Sequence, residues 1–116
     1  MKILITGSRD FKNTELLLKT IEKIPKHATI IHGGCKTGAD QIAHAVCTQL
    51  GYKVIVVPAD WDTHGKSAGY IRNNQMITQY KPDIVIAFPQ NGSTNRGTMM
   101  TVKLAEKNNI PVVIKR

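Results

Sequence analysis

The chain has 116 residues, 41% of them hydrophobic, which predicts one ordered domain over residues 1–116 and leaves too little length for two. Its apolar runs are far shorter than the roughly 20 residues of a membrane-spanning helix. Strand-like sequence also begins at once, without room for a signal peptide. We therefore expect no membrane association and a cytoplasmic location with reduced thiols.

The net charge of +8 favours anionic partners, although a basic surface can also contribute to solubility alone. A basic cleft can receive a phosphorylated small molecule, and a basic surface can meet nucleic acid. The lysines are scattered, and aromatic residues make up only 5%, so the basic and aromatic pattern of a single-strand binder is missing. Nucleic acid therefore stays an alternative and not the preferred partner.

Strand-like apolar runs alternate with amphipathic helical patterns along the whole chain. In chain order we predict strand Lys2–Thr6, helix Thr14–Ile24, strand Thr29–His32, helix Asp40–Leu50, strand Lys53–Val57, helix Ser67–Tyr80, strand Asp83–Phe88, helix Thr98–Asn108 and strand Ile110–Ile114. Continuously apolar strands separated by helices indicate a parallel sheet covered on both faces. The predicted fold is α/β, a Rossmann-like doubly wound five-stranded sheet whose ligand lies beyond the carboxyl ends of the strands.

The first two loops at that edge carry most of the candidate binding groups. In GSRD, Gly7 permits close approach, Ser8 offers a hydroxyl and Arg9 offers a bidentate fork for phosphate or carboxylate. The second loop, HGGCKTGAD, precedes a helix, and free backbone N–H groups there can form an anion site. Its predicted ligand contacts are Gly33, Gly34, Gly38 and Asp40.

Asp40 has two interpretations, since it can cap the helix or accept hydrogen bonds from ribose hydroxyls. His32 and His44 lie near it in sequence, but the spacing fixes no third ligand, so we predict no metal and no cofactor. Cys35 and Cys47, 12 positions apart, fit neither a zinc site nor a disulfide framework.

The third and fourth loops add an aromatic residue, an arginine and several hydroxyls. Trp61, beside Asp60, can stack on a base or merely hold the loop, and Arg72 with Asn73 can point from the following helix toward the strand ends. The fourth loop can hold a phosphate at the next helix start. Its predicted contacts are Gly92, Ser93, Thr94, Gly97 and Thr98.

Together GSRDF, HGGCKTGAD, PADW, AGYIRNNQM and AFP…GT resemble the SLOG superfamily, specifically its small YspA-like group. The resemblance covers nearly the whole chain and implies a Rossmann-like domain that binds nucleotides or nucleotide-derived ligands. Relatives include LOG phosphoribohydrolases, which cleave the N-glycosidic bond of nucleoside 5′-monophosphates, and single-strand-binding DNA-processing proteins. LOG relatives form dimers, so the resemblance also implies a homo-oligomer.

The hydrolase motif PGGxGTxxE is matched only in part. Gly97 and Thr98 correspond to its GT, and Arg72 corresponds to the arginine that touches the substrate, which would make Arg72 the catalytic candidate in an enzyme. The glycine pair after the proline is replaced by Gln90 and Asn91, and the position of the glutamate is Thr101, which has no carboxylate.

Binding of a nucleoside phosphate or an ADP-ribose-like ligand is therefore our leading hypothesis. The alternatives are a phosphoribohydrolase, in which an acid such as Asp10, Asp40, Asp60 or Asp62 would replace the missing glutamate, and single-stranded nucleic-acid binding.

Overall fold

The computed structural model describes residues 1–92 and 95–116. The described chain contains five strands and five helices. One helix lies between successive strands except after the third strand, where two helices follow with a 3₁₀ turn at Gly65–Ser67 between them. They are β1 (Lys2–Gly7), α1 (Thr14–Glu22), β2 (Thr29–His32), α2 (Gly38–Gln49), β3 (Lys53–Val56), α3 (Trp61–His64), α4 (Ala68–Thr78), β4 (Ile84–Phe88), α5 (Arg96–Lys107) and β5 (Val112–Ile114).

The five strands form one parallel sheet in the order β3-β2-β1-β4-β5, which confirms the predicted doubly wound fold. Ile3 is in register with Ile30 on one side and with Ile84 on the other. The chain builds outward from β1 through β2 to β3, then crosses to β4. The switch point, where such folds open a ligand crevice, therefore lies between β1 and β4.

Each face of the sheet is covered by its own hydrophobic core, because successive side chains of a strand point to opposite faces. Ile3 and Ile5 of β1 pack with α1 and α2 residues such as Leu17. Leu4, between them, packs on the other face with Met76 of α4 and Ala105 of α5. Burial of both faces explains why the strands are almost continuously apolar.

The structure differs from the predicted elements mainly between β3 and α4, where we predicted a loop. That segment contains α3, whose first turn is capped by the side chain of Asp60 accepting from the Thr63 N–H at 3.1 Å. None of the α3 residues is buried, so a helix this short leaves no apolar periodicity to detect. Elsewhere α2 and α5 begin two residues earlier than predicted, at Gly38 and Arg96.

Within residues 1–92 and 95–116, every helix is too short or too polar to cross a bilayer.

Candidate functional site

Glycines at two positions let the end of β1 pack tightly against the start of α2. At Gly38, where φ is +73°, a Cβ atom would overlap the backbone of Ser8 and Arg9. At Gly7 a Cβ would overlap Ala39 and the Phe88 backbone. Because both positions lack side chains, the Ala39 N–H reaches the Ser8 carbonyl at 3.1 Å. The GSRD loop is thereby fixed on the start of α2.

Arg72 of α4 is held in place by two hydrogen bonds. Its Nη1 donates to the Gly33 carbonyl, and its Nε donates to Asn73 Oδ1 at 2.7 Å. A Cβ at Gly33 would collide with the guanidinium, so this glycine makes room for the arginine. Burial lowers the pKa of Arg72 and nearby Asp40 raises it, but an arginine stays protonated at any relevant pH.

Asp40, in the first turn of α2, hydrogen-bonds to the backbone of the glycine loop. Its carboxylate accepts from the Cys35 N–H at 3.2 Å, and the side chain is almost entirely buried. Burial raises the pKa of Asp40, whereas the amides of Cys35 and Gly33 and the charge of Arg72 lower it. The structure thus gives Asp40 a loop-capping role, while it also leaves the residue in contact with the adjacent cavity.

These loops enclose a cavity of about 520 Å³ at the carboxyl ends of the central strands. It lies where α2, α4 and α5 begin, at the predicted switch point. The predicted site residues that line it are Gly7, Ser8, Arg9, Gly33, Asp40, Arg72, Asn73, Gly97 and Thr98. Four separate segments of the chain therefore converge on one space.

Other predicted site residues lie elsewhere. Gly34 faces Val56 on the far side of its loop, Asp60 caps α3, and Gly92 adopts a φ of +85° in open space. Gly38 serves loop packing, and Trp61 is 51% exposed beyond the cavity lining. Ser93 and Thr94 fall outside the described residues.

The cavity is also lined by residues that we did not predict as ligand contacts, although Asp10 was named as an alternative acid. They are Thr6, Asp10, Cys35, Gly69, Tyr70, Met76, Asn95, Arg96 and Met100. Asn95 shows why: its side chain accepts from the Gln90 N–H at 2.9 Å and donates to the Gln90 carbonyl at 3.0 Å, closing the loop before α5. These hydrogen bonds help to position Arg96, the next residue. In the sequence, the only indication that Arg96 could line the site was that it precedes Gly97.

The charge of the cavity lining favours anions. Three arginines, Arg9, Arg72 and Arg96, come from different segments, against the two acids Asp10 and Asp40. Asp40 is already engaged by backbone amides and by the field of Arg72. An incoming anion therefore meets guanidinium groups whose charge is only partly compensated.

Two histidines form a hydrogen-bonded pair beneath the glycine loop. His32 Nδ1 accepts from the Gly34 N–H at 3.0 Å, and its Nε2 lies 3.0 Å from His44 Nδ1. Since Nδ1 accepts, a neutral His32 carries its proton on Nε2 and donates it to His44. Burial, His44 and Arg72 together lower the pKa of His32 to about 4. In the described part of the chain, no group of three His, Cys, Asp or Glu residues is arranged to hold a metal ion.

Thr101, which the sequence comparison with the hydrolase motif placed at the glutamate position, is buried inside the fold and does not line the cavity. Its side chain is completely buried, and its hydroxyl donates to the Gly97 carbonyl at 3.0 Å within α5.

Fold and site together define a Rossmann-like α/β domain with a basic cavity at its strand ends. The chain belongs to the family described as YspA, cpYpsA-related SLOG, whose family model matches residues 1–64. This membership confirms the resemblance drawn from the sequence motifs.

Two individual comparisons agree with this placement. The chain is 36% identical, over 121 aligned positions, to the Gene 61 protein of Mycobacterium phage D29, covering 97% of this chain and 94% of that protein. Its fold is similar to that of the UDP-GlcNAc 2-epimerase from Methanocaldococcus jannaschii, with a TM-score of 0.51 and 21% identity. The match covers 98% of this chain and 31% of the epimerase chain, and it speaks for the fold alone.

Proposed function

We propose that this protein binds a nucleotide or a nucleotide-derived anion, such as a nucleoside phosphate or an ADP-ribose-like molecule, in the strand-end cavity. The observation that carries the proposal is the half-buried Arg72, fixed against Gly33 and Asn73 while it lines the cavity. A guanidinium held in one orientation loses little entropy when it binds a phosphate, and partial burial strengthens the interaction.

The remaining lining supports a polar ligand with several hydrogen-bonding groups. Thr6, Ser8, Asn73 and Thr98 are all buried polar residues whose positions border the cavity. Their hydroxyl and amide groups complement the hydroxyls of a ribose. A volume of about 520 Å³ also lies within the range of small-molecule sites, about 300–1,000 Å³.

Binding without turnover is better supported than hydrolysis. Thr101 has no carboxylate, and its buried hydroxyl is engaged by Gly97. Asp40, the buried acid of the cavity, is engaged by the Cys35 amide. Loss of general acid–base help costs about 10²–10⁴-fold in rate, whereas the cationic groups that support binding remain.

Isothermal titration calorimetry with AMP, ADP-ribose, NAD and cyclic nucleotides tests the proposal. We expect at least one of them to bind the wild-type protein and Arg72→Ala to weaken that binding about a hundredfold. Arg116→Ala removes the same charge from the exposed C-terminus, far along the chain from the cavity lining, and should leave affinity unchanged. Equal affinities for Arg72→Ala and the wild type would contradict the proposal, as would binding of none of the four ligands.

The same samples separate binding from hydrolysis. After prolonged incubation of a high protein concentration with AMP, chromatography should detect no free adenine. Release of adenine by the wild type and not by Arg72→Ala would instead establish the phosphoribohydrolase.

A further inference from the structure

The aromatic side chains divide into two groups by location. The chain has two Phe, three Tyr and one Trp. Four of these pack within or against the hydrophobic cores: Phe11, Phe88, Tyr52 and Tyr80. The other two, Trp61 and Tyr70, are 51% and 55% exposed. Neither core accounts for them.

Of the two exposed rings, that of Tyr70 lines the strand-end cavity, whereas that of Trp61 lies outside the lining but close to it. Gly69, the neighbour of Tyr70 in sequence, is also a lining residue. The Trp61 ring approaches Gly69 so closely that Cη2 would be 3.6 Å from a Cβ at that position. The Trp61 ring therefore packs beside a lining residue at the start of α4, next in sequence to Tyr70.

Tyr70 stands two residues before Arg72 on α4. The two side chains therefore leave the helix on different sides, but both line the cavity at which α4 begins. Arg72 is half-buried and anchored, whereas Tyr70 is exposed at the rim. One helix thus offers a fixed cation inside the cavity and a flat apolar surface at its entrance. A ligand that uses both must carry an anionic group and, a short distance away, a flat ring.

We propose that Tyr70 is a specificity-determining residue on which the base of the bound nucleotide stacks, with the Trp61 ring nearby, beside Gly69. This inference rests on the proposed function and restricts it: the site selects an anion bearing a heteroaromatic base over a sugar phosphate without one. Stacking on an aromatic side chain suits any base, because every base has a π face. It therefore explains recognition of a nucleotide without a dedicated set of base hydrogen bonds.

The test compares AMP with ribose 5-phosphate by isothermal titration calorimetry, for the wild type and for three variants. We expect Tyr70→Ala to weaken AMP binding about tenfold or more while leaving ribose 5-phosphate unaffected. Tyr70→Phe should retain the wild-type preference because it keeps the ring, whereas Tyr70→Leu should behave like Tyr70→Ala. Emission from Trp61, the single tryptophan, should change with AMP and not with ribose 5-phosphate.

The outcomes distinguish this inference from the proposed function. If Tyr70→Ala weakens the binding of AMP and of ribose 5-phosphate equally, or weakens neither, the stacking role is wrong although the proposed anion site stands. An unchanged Trp61 emission at saturating AMP would remove Trp61 from the site. If the wild-type protein binds neither ligand and no other nucleotide, the proposed function itself fails.

Discussion

Individual residues at this site are positioned by polar contacts around one short loop. Gly33 accepts from Arg72, Gly34 donates to His32, and Cys35 donates to Asp40. Three consecutive residues therefore anchor three different side chains, each from a different element. The shape of the loop and the direction of the arginine are consequently coupled.

We expect His32 to make the stability of the domain depend on pH. It is neutral in the folded protein because its pKa is lowered to about 4, whereas in the unfolded chain it protonates near 6.5. The unfolded state then binds more protons between these values, so stability falls as pH falls from about 7.5 toward 4. Between pH 8 and 5 we expect His32 to lower the free energy of unfolding by about 1–2 kcal/mol, a figure already reduced for solvent screening.

Urea unfolding at several pH values measures this contribution. His32→Gln should flatten the dependence of unfolding free energy on pH, while His27→Gln, at an exposed position, should not. Parallel pH profiles for His32→Gln and the wild type would show that His32 is not the responsible group.

At the level of elements, the strand ends are assembled by close contact between backbones. The start of α2 meets the end of β1 through Gly7, Gly38 and the hydrogen bond from Ala39 to Ser8. The glycines of the second loop thus serve mainly to join loops and to admit Arg72. Only Gly33 among them borders the cavity itself.

Gly38→Ala should be much more harmful than Gly51→Ala. Both glycines have a positive φ, +73° and +86°, so both substitutions carry a backbone cost of about 1–2 kcal/mol. Only at Gly38 would the new Cβ also overlap backbone, whereas at Gly51 nothing lies within 4 Å. We expect a total loss of about 3 kcal/mol or more at Gly38, measured by urea unfolding. Similar losses at the two positions would show that loop packing contributes little.

At the scale of the whole molecule, the two cores share one sheet. Ile5 belongs to the core under α1 and α2, and Ile31 belongs to the core under α4 and α5. β1 supplies side chains to both cores, so loss of either core removes contacts from the same central strand. We therefore predict that residues 1–116 unfold as a single cooperative unit.

Differential scanning calorimetry of a matched pair tests this cooperativity. Ile5→Val and Ile31→Val remove one methylene from completely buried positions on opposite faces, and each should cost about 0.5–1.5 kcal/mol. Each variant should show one transition at a lower temperature, with equal calorimetric and van't Hoff enthalpies. Two separable transitions in either variant would disprove the single unit.

The sequence by itself determined the architecture of this protein. Continuously apolar strand segments and helical segments with amphipathic periodicity follow one another along the chain. A parallel sheet is the arrangement that buries such strands on both faces. That sheet necessarily brings the carboxyl ends of its strands to one edge. For this reason we expected Arg9, Gly34, Arg72 and Thr98, distant in the chain, at one edge. Arg9, Arg72 and Thr98 line one cavity there, whereas in the glycine loop Gly33 lines it and Gly34 faces Val56.

Only the tertiary structure decided which side chains of each loop face the cavity. Trp61 and Asp60 were displaced from its lining by α3, a helix set by a local cap and not by apolar periodicity. Tyr70 lines the cavity because of its rotational position on α4. Arg96 lines it because the hydrogen bonds of Asn95 close the loop before α5. Such orientations depend on individual hydrogen bonds and on the contacts around glycines, which periodicity does not encode.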